Sequence, residues 1–427
     1  MFNQTKLAEI AFEHAAPLKD LSYIEDALRS RYGGANNAIR ALILSVASGE
    51  PLLFIGPPGT GKSQLIRDFC ALSGIDLKGS SDSKSDKVGY FEYLLTPFTE
   101  PSELFGFYDI PSLQEGSPKR LEKGMMQNAK VVYLDEVFNG SSAILNSILT
   151  FMNERVFHER GTRKEVAMEY MFGATNQVPE TEMLRAIFDR FLIRYRVKNV
   201  PNKLHPFKEL IHKGWWQTYG KSTTSSSGKQ NGTGEFTAFK NLLKGLGNMR
   251  QSLREGVVAS RELMPERESS VYTKFMQLVE MTRSYGLSQM SNRRIIKSLW
   301  VLCIHKIYVA VRENIRTCSL EKLGSKKEWD IWNGLEWDPM GPFSAQQVIQ
   351  GIQDGTLSPM TMCSNRFAGE PQRIKDAIPY EHRPMPEKIG IDNEDLMLIP
   401  KFLLDKEDPE LTLKMERTLA SADDYGS

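Results

Sequence analysis

The sequence predicts an α/β fold, a parallel sheet flanked by helices, followed by a helical region and a small C-terminal α+β module. Three observations carry this prediction. Apolar runs that read as buried strands, "PLLFIG" (51–56), "KVVYLDEV" (130–137) and "EYMFGATN" (169–176), alternate with segments of helical periodicity. The first run leads directly into a Gly/Pro-rich turn with a helix behind it. After Pro201 the strands stop and helical spacing dominates.

The elements follow in order. Residues 20–48 read as helices, with Ile39, Leu42, Ile43 and Val46 at helical spacing. "KSQLIRDFCAL" (62–72) is the helix behind the first strand's turn. In segment 90–106, "FEYLLTPF" reads mostly as core and "TEPSELFG" as a loop able to touch a partner. Between the second and third strands, residues 149–168 hold a helix with an apolar face and then "VFHERGTRKEVAM", which alternates around Gly161 as a hairpin would. Segments 236–256 and 268–314 read as helices, while "KSTTSSSGKQNGTGE" (221–235) has no apolar content to order it. From about 329, Trp, Pro and Met become frequent and the elements short. From about 405 the chain is polar and acidic and is expected to fray. These shifts divide the chain into an α/β core (1–201), a helical region (202–320) and an accessory module (321–427).

Composition narrows the function classes. With 41% hydrophobic and 25% charged residues the chain is an ordinary globular one, and a formal net charge of +1 creates no global attraction to nucleic acid or anionic membrane. No apolar run is long enough to span a bilayer, and the N-terminus lacks the basic start and apolar stretch of a secretory signal. Cys70, Cys303, Cys318 and Cys363 stand apart without CxxC spacing, and the six histidines are dispersed, so reduced thiols in a cytoplasmic setting and no structural zinc are expected.

"GPPGTGKS", from Gly56 through Pro57, Pro58, Gly59, Thr60, Gly61 and Lys62 to Ser63, fits G-x-x-x-x-G-K-[ST]. Its glycines let backbone N–H groups turn inward around phosphates, Lys62 reaches the β- and γ-phosphates, and Ser63 ligates Mg²⁺. The helix beginning here, with Gln64 in its first turn, adds its positive end. "VVYLDEV" supplies what hydrolysis of ATP still requires: Asp135 for the Mg²⁺ shell and Glu136 to polarise the attacking water. Asn176, ending the next strand, is placed to orient that water, although an Asn there also serves as a plain turn former. Arg190 in "AIFDRFLIR" and Arg293 in "MSNRRIIKSLW" are candidate charge stabilisers; each would equally suit a solvated helix face.

The order of these parts resembles an AAA+ ATPase of the MoxR family, in its RavA-like branch. The resemblance rests on "NNAIRALILSVASGEPLLFIGPPGTGKS", "YFEYLLTPFTEPSELFG", "VVYLDEVFNGSSAILNSILTFMNER", "FGATNQVPE", "AIFDRFLIR" and "YGLSQMSNRRIIKSLWVL", together roughly residues 20–310. It implies a P-loop NTPase core with an α-helical lid, and roles residue by residue. Asp135 and Glu136 fall on the Walker B acids and Asn176 on the sensor. Arg190 falls on the finger that reaches a neighbouring subunit, and Arg293, or adjacent Arg294, on the lid sensor. A finger acting in trans implies a homo-hexameric ring, and the family implies a von Willebrand factor A domain protein as partner. It also implies that the hairpin at 153–168 points toward the ring's axial channel.

The chain departs from that branch after the lid. "WDPMGPFSAQQVIQGIQDGTLSPMTMCSN" (337–365) resembles a GYF-like module, with a plain α+β extension as the alternative. Three functions remain open: a chaperone-like remodeller of a partner protein, a nucleic-acid motor, and a nucleotide-dependent regulatory switch. From Glu154 to Glu165 the hairpin carries four bases against three acids, which favours the first over a phosphate-tracking motor.

Overall fold

The computed structural model describes residues 2–75, 77, 88–116, 118–159, 162–178, 181–199, 207–208, 210–211, 214–215, 242–258, 261, 263, 269–284, 290–316, 327–332, 341–353, 357, 361–365, 368–374, 386–404 and 409–420. The Ser/Gly/Thr-rich stretch 221–235, Cys318 and the hairpin tip, Arg160 and Gly161, lie outside them.

Strands β1 (Leu52–Ile55), β2 (Val88–Leu94), β3 (Ala129–Asp135), β6 (Tyr170–Thr175) and β7 (Ile193–Arg196) form one parallel sheet in the order β2–β3–β6–β1–β7. Its inner strands β1 and β6 and the 131–134 part of β3 are buried runs because both faces are covered. Leu52 and Phe54 of β1, Val131 and Tyr133 of β3, and Tyr170 and Phe172 of β6 enter one core. Their alternate neighbours Leu53 and Ile55, Val132 and Leu134, and Met171 enter the other. The first core is closed by helices α1 (Gln4–Glu13), α2 (Ala15–Arg31), α3 (Asn36–Ser48) and α4 (Lys62–Leu72). Helices α9 (Leu242–Val258), α10 (Ser270–Ser284) and α11 (Asn292–Arg316) join the same core.

The second core is closed by α5 (Pro101–Phe105), α7 (Ser142–Glu154) and α8 (Glu182–Phe188), with α6 (Ile110–Gln114) between the first two in sequence. Segment 90–106 divides differently from the sequence expectation. "TEPSELFG" forms α5 because Glu100 and Glu103 make a reciprocal capping box with Pro101 in the first turn, burying Leu104 and Phe105. Phe98, expected inside, is 90% exposed. Strands β4 (Val156–Glu159) and β5 (Thr162–Glu165) make the expected antiparallel hairpin. Its base is anchored rather than loose: Phe157 is buried with its ring 4.9 Å from that of Phe105, and Lys164 pairs with Glu122 at 2.9 Å.

The C-terminal part divides by core membership. Strands β8 (Lys327–Ile331), β9 (Phe343–Ser344), β10 (Met362–Asn365) and β11 (Ala368–Arg373) form a sheet in the order β11–β10–β8–β9. With α12 (Ala345–Gln353), this sheet encloses a separate small core around Ile331, Val348, Ile349 and Cys363. "GPFS" enters β9 and "AQQVIQGIQ" is α12. Residues 389–404 and 409–419, grouped with that module by composition, instead join the large core through α13 (Leu398–Phe402) and α14 (Pro409–Ala420). The polar tail was expected to fray, yet Leu411, Met415 and Leu419 fall every fourth residue and make one buried stripe on α14. Ile389 N–H donates to Gln4 O at 3.0 Å, and the Phe402 ring lies 6.0 Å from that of Tyr195 on β7. Among the described residues no helix is long and apolar enough to cross a membrane. Cys70, Cys303 and Cys363 are buried thiols outside any disulfide.

Two measurements check this packing. Phe402 is 1% exposed, so Phe402→Ala should cost about 3–5 kcal/mol and lower the midpoint of the main unfolding transition, as seen by chemical denaturation. His305 is pushed down to about 3 by burial, then by Arg40 and Lys306, with Asp392 opposing. The folded chain therefore keeps His305 neutral while the unfolded chain protonates it below about pH 6.5. Stability should fall as pH drops from there toward 3, and His305→Gln should make that decline shallower.

Candidate active site

Strand β1 lies between β6 and β7, with Ile55 opposite Thr175 on one side and Arg196 on the other. The chain leaves it at Gly56, whose N–H donates to Thr175 O at 2.9 Å. A Cβ at Gly56 would sit 2.2 Å from the backbone oxygen of Val197, so no other residue fits without moving β7. Gly61 caps α4 from the left-handed region at φ +79°, which lets the loop turn tightly into the helix. Within the loop the Thr60 hydroxyl donates to Pro57 O at 3.0 Å. The Lys62 ammonium donates to Gly56 O at 2.6 Å and Pro57 O at 2.9 Å. Burial lowers the Lys62 pKa, and the charges of Asp135 and Glu136 act against that shift.

Those acids stand at the end of β3. Glu136 has φ +48°, a left-handed conformation that costs a non-glycine residue and is held only by its surroundings. Its N–H donates to Asp135 Oδ1 at 3.0 Å, and the next residue, Val137, donates to Ala174 O of β6 at 3.0 Å. Asn176 follows Thr175 directly and is exposed, at the same end of the sheet as Gly56. Lys62, Asp135, Glu136 and Asn176 thus meet where the parallel strands end, with Ser63 in the first turn of α4. The donors present, a carboxylate and a hydroxyl, are the hard oxygen ligands that suit Mg²⁺. Gln64 differs from its neighbours: its side-chain amide donates to Asp68 Oδ1 at 2.7 Å.

Beside the loop is a cavity of about 440 Å³ lined by Tyr32, Ala35, Leu65, Tyr195 and Val197 together with Gly59, Thr60, Gly61 and Lys62. Its apolar walls continuing from a phosphate loop suit a planar base. Tyr32 is fixed by donating to Asp68 Oδ2 at 3.0 Å, and burial followed by the Asp68 charge raises its pKa. Tyr32, Ala35, Leu65, Tyr195 and Val197 carry no readable sequence signal, because a hollow of this kind is shaped by packing. A larger hollow of about 570 Å³ around Ser73, Gly89 and Lys130 lies elsewhere and includes no residue of the phosphate loop.

The arginines form a second group. Arg294 is 1% exposed, donates to Leu403 O and lies 3.9 Å from Asp189, so its guanidinium is used inside the core. Burial pushes its pKa down to about 10. Arg293 is the member of the pair that faces Arg190: burial lowers the Arg190 pKa first and the Arg293 charge lowers it further. Arg190 Nε is buried without a hydrogen-bond partner. Asp189 ties this group to α11 by accepting from Ser291 Oγ at 3.0 Å. Neither Arg190 nor Arg293 lines the cavity beside the phosphate loop.

Residues 19–235, just over half of the chain, match the family model of the MoxR domain in MoxR–vWA–β-propeller ternary systems. The chain belongs to the MoxR family. This match establishes the MoxR family rather than the RavA-like branch within it. Two uncharacterised proteins of Methanocaldococcus jannaschii are each 34% identical to this MoxR chain over 181 residues, 42% of its length and 45% and 44% of theirs. A structural protein of Acidianus two-tailed virus is 29% identical over 198 residues, 46% of this chain and 29% of that one. The matches therefore span less than half the length of these relatives. A solved structure of a candidate ATPase from Cytophaga hutchinsonii covers 70% of this chain and 82% of its own at 17% identity, with a TM-score of 0.46.

The cavity's assignment to the base has a direct check in this MoxR core. Tyr32→Ala should weaken ADP binding about tenfold, as calorimetry would measure, since a lost aromatic wall costs on the order of 1 kcal/mol. Inorganic phosphate should compete with ADP equally well in both proteins.

Proposed function

We propose that this MoxR-family protein is an ATP-hydrolysing AAA+ ring, a homo-hexamer whose turnover remodels or activates a partner protein. The observation that carries the reading is the meeting of Lys62 with Asp135 and Glu136 at the end of the parallel sheet, while Arg190 and Arg293 stand together outside the cavity. Backbone N–H groups of Gly59, Thr60, Gly61 and Lys62 and the Lys62 ammonium hold the triphosphate, the latter by leaving the Gly56 and Pro57 carbonyls. Ser63 and Asp135 would hold Mg²⁺, which neutralises phosphate charge when bound. Glu136 accepts the proton of the attacking water as oxygen joins the γ-phosphorus and the bond to ADP breaks; Asn176 orients that water.

Arg190 serves the nucleotide of the neighbouring subunit, and Arg293, whose charge acts on Arg190, is the lid sensor. The Arg293 charge acts unfavourably on Arg190, and a phosphate brought to Arg190 offsets that repulsion. Nucleotide therefore favours assembly, and the finger completes the site only in the ring. Arg293 rather than Arg294 is the lid sensor, because Arg294 is occupied by Leu403 and Asp189.

The hairpin from Val156 faces the axial channel, where its mixed charge suits a polypeptide better than a phosphate track. The expected companions are a von Willebrand factor A domain protein and a β-propeller protein, as in the ternary systems that the family model describes. The setting is the cytoplasm, where the buried thiols Cys70, Cys303 and Cys363 stay reduced.

Glu136→Gln should bind ATP normally, lower turnover by roughly 10²–10⁴-fold and retain the partner protein on affinity capture with ATP. Partner release at the wild-type rate would show that turnover does not drive it. Specific ATPase activity of the wild type should rise with protein concentration; activity independent of dilution would remove the ring from the account.

A further inference from the structure

A cavity of about 340 Å³ lies between α2, α3 and α11, with a polar side formed by Glu25, Arg29, Arg40, His305, Tyr308 and Arg312 and an apolar side mostly from α3, none of them in the phosphate loop. Its acids are already engaged. Glu25, 2% exposed, accepts from Arg29 Nε at 2.9 Å and also from Tyr308 and Arg312. Asp26 pairs with Arg312 Nη2 at 2.5 Å. These two carboxylates offset Arg29 and Arg312.

Arg40 stands outside that exchange. Its hydrogen bond is to the ring nitrogen Nε2 of His305 at 3.3 Å, and that imidazole is neutral at ordinary pH. The acid on the far side of this contact, Asp395, lies 3.9 Å from His305 Nε2 and is bound to Lys306 at 3.0 Å. Among the described residues Arg40 makes no direct carboxylate ion pair, Asp395 acting on it only through space, and it is exposed to solvent, so a ligand can reach it.

We propose that this cavity binds a small phosphate-bearing anion, with Arg40 as the principal contact and Arg29 and Arg312 flanking it. Guanidinium forks match phosphate oxygens two at a time. The volume is at the small end of ligand pockets, which suits free phosphate, pyrophosphate or a small phosphorylated metabolite. The walls come from α2 and α3 on one side and α11 on the other, so an occupant ties α11 to the core and stabilises the folded chain by mass action.

The test uses the full chain carrying Lys62→Ala, which disables the phosphate loop as a competing anion site, and pyrophosphate as the probe. Calorimetry should give saturable binding and thermal unfolding a raised midpoint. Adding Arg40→Gln should weaken that binding at least about tenfold, Arg40→Lys by less, with the probe-free midpoint unchanged in both. Phosphate and pyrophosphate that both fail to bind up to millimolar concentration would overturn the proposal. So would binding that Arg40→Gln leaves intact, or succinate binding as tightly as pyrophosphate, which would assign the cavity to carboxylates.

Discussion

Burial of the central sheet on both faces is the constraint from which the site follows. Successive residues in the middle of β1, β3 and β6 (52–55, 131–134 and 170–172) are committed to opposite cores, so those side chains are apolar or packed away. Polar groups can appear only where the strands stop. Parallel pairing makes β1, β3 and β6 stop at the same end, which gathers Gly56, the Asp135–Glu136 pair and Asn176 from three distant parts of the chain. The strained backbone of Glu136 is tolerated because the hydrogen bond from Val137 to Ala174 and the Asp135 carboxylate hold the turn on both sides.

A second organisation, around Asp189, governs the arginines. Arg194 and Arg294 are both buried and share that one carboxylate as their nearby acid; burial lowers the pKa of each. Backbone carbonyls supply what the carboxylate cannot: Phe188 and Phe191 accept from Arg194, and Leu403 from Arg294. The Arg194 guanidinium also lies 3.7 Å from the centre of the Phe188 ring. Breaking such an arrangement leaves buried charge uncompensated, which is strongly destabilising. The segment bearing Arg190 is thereby fixed to α11 and to the C-terminal residues around Leu403.

What the residues disclosed follows the same physics. The phosphate loop and the acid pair were legible because backbone cradling and metal chemistry demand particular residue types at fixed spacing. The hairpin was legible from alternation around its Gly. Tyr32, Ala35 and Tyr195 were not, since a base is enclosed by shape. That Arg294, and not Arg293, turns into the core depends on which side of α11 is buried, and adjacent residues of one helix give no such signal. The helix at 409–420 was missed because its three buried residues are diluted among charged ones, and the exposure of Phe98 because apolar character alone does not say which side of a turn packs.

The central claim is that a phosphate loop of one subunit is completed by Arg190 of the next. Its most direct measurement is ATPase activity in a mixture of two variants, Lys62→Ala and Arg190→Ala, each nearly inactive alone. Random co-assembly in a ring pairs an intact loop with an intact finger at about a quarter of the interfaces, so activity should return to roughly that fraction of wild type. A mixture no more active than its components would contradict the account.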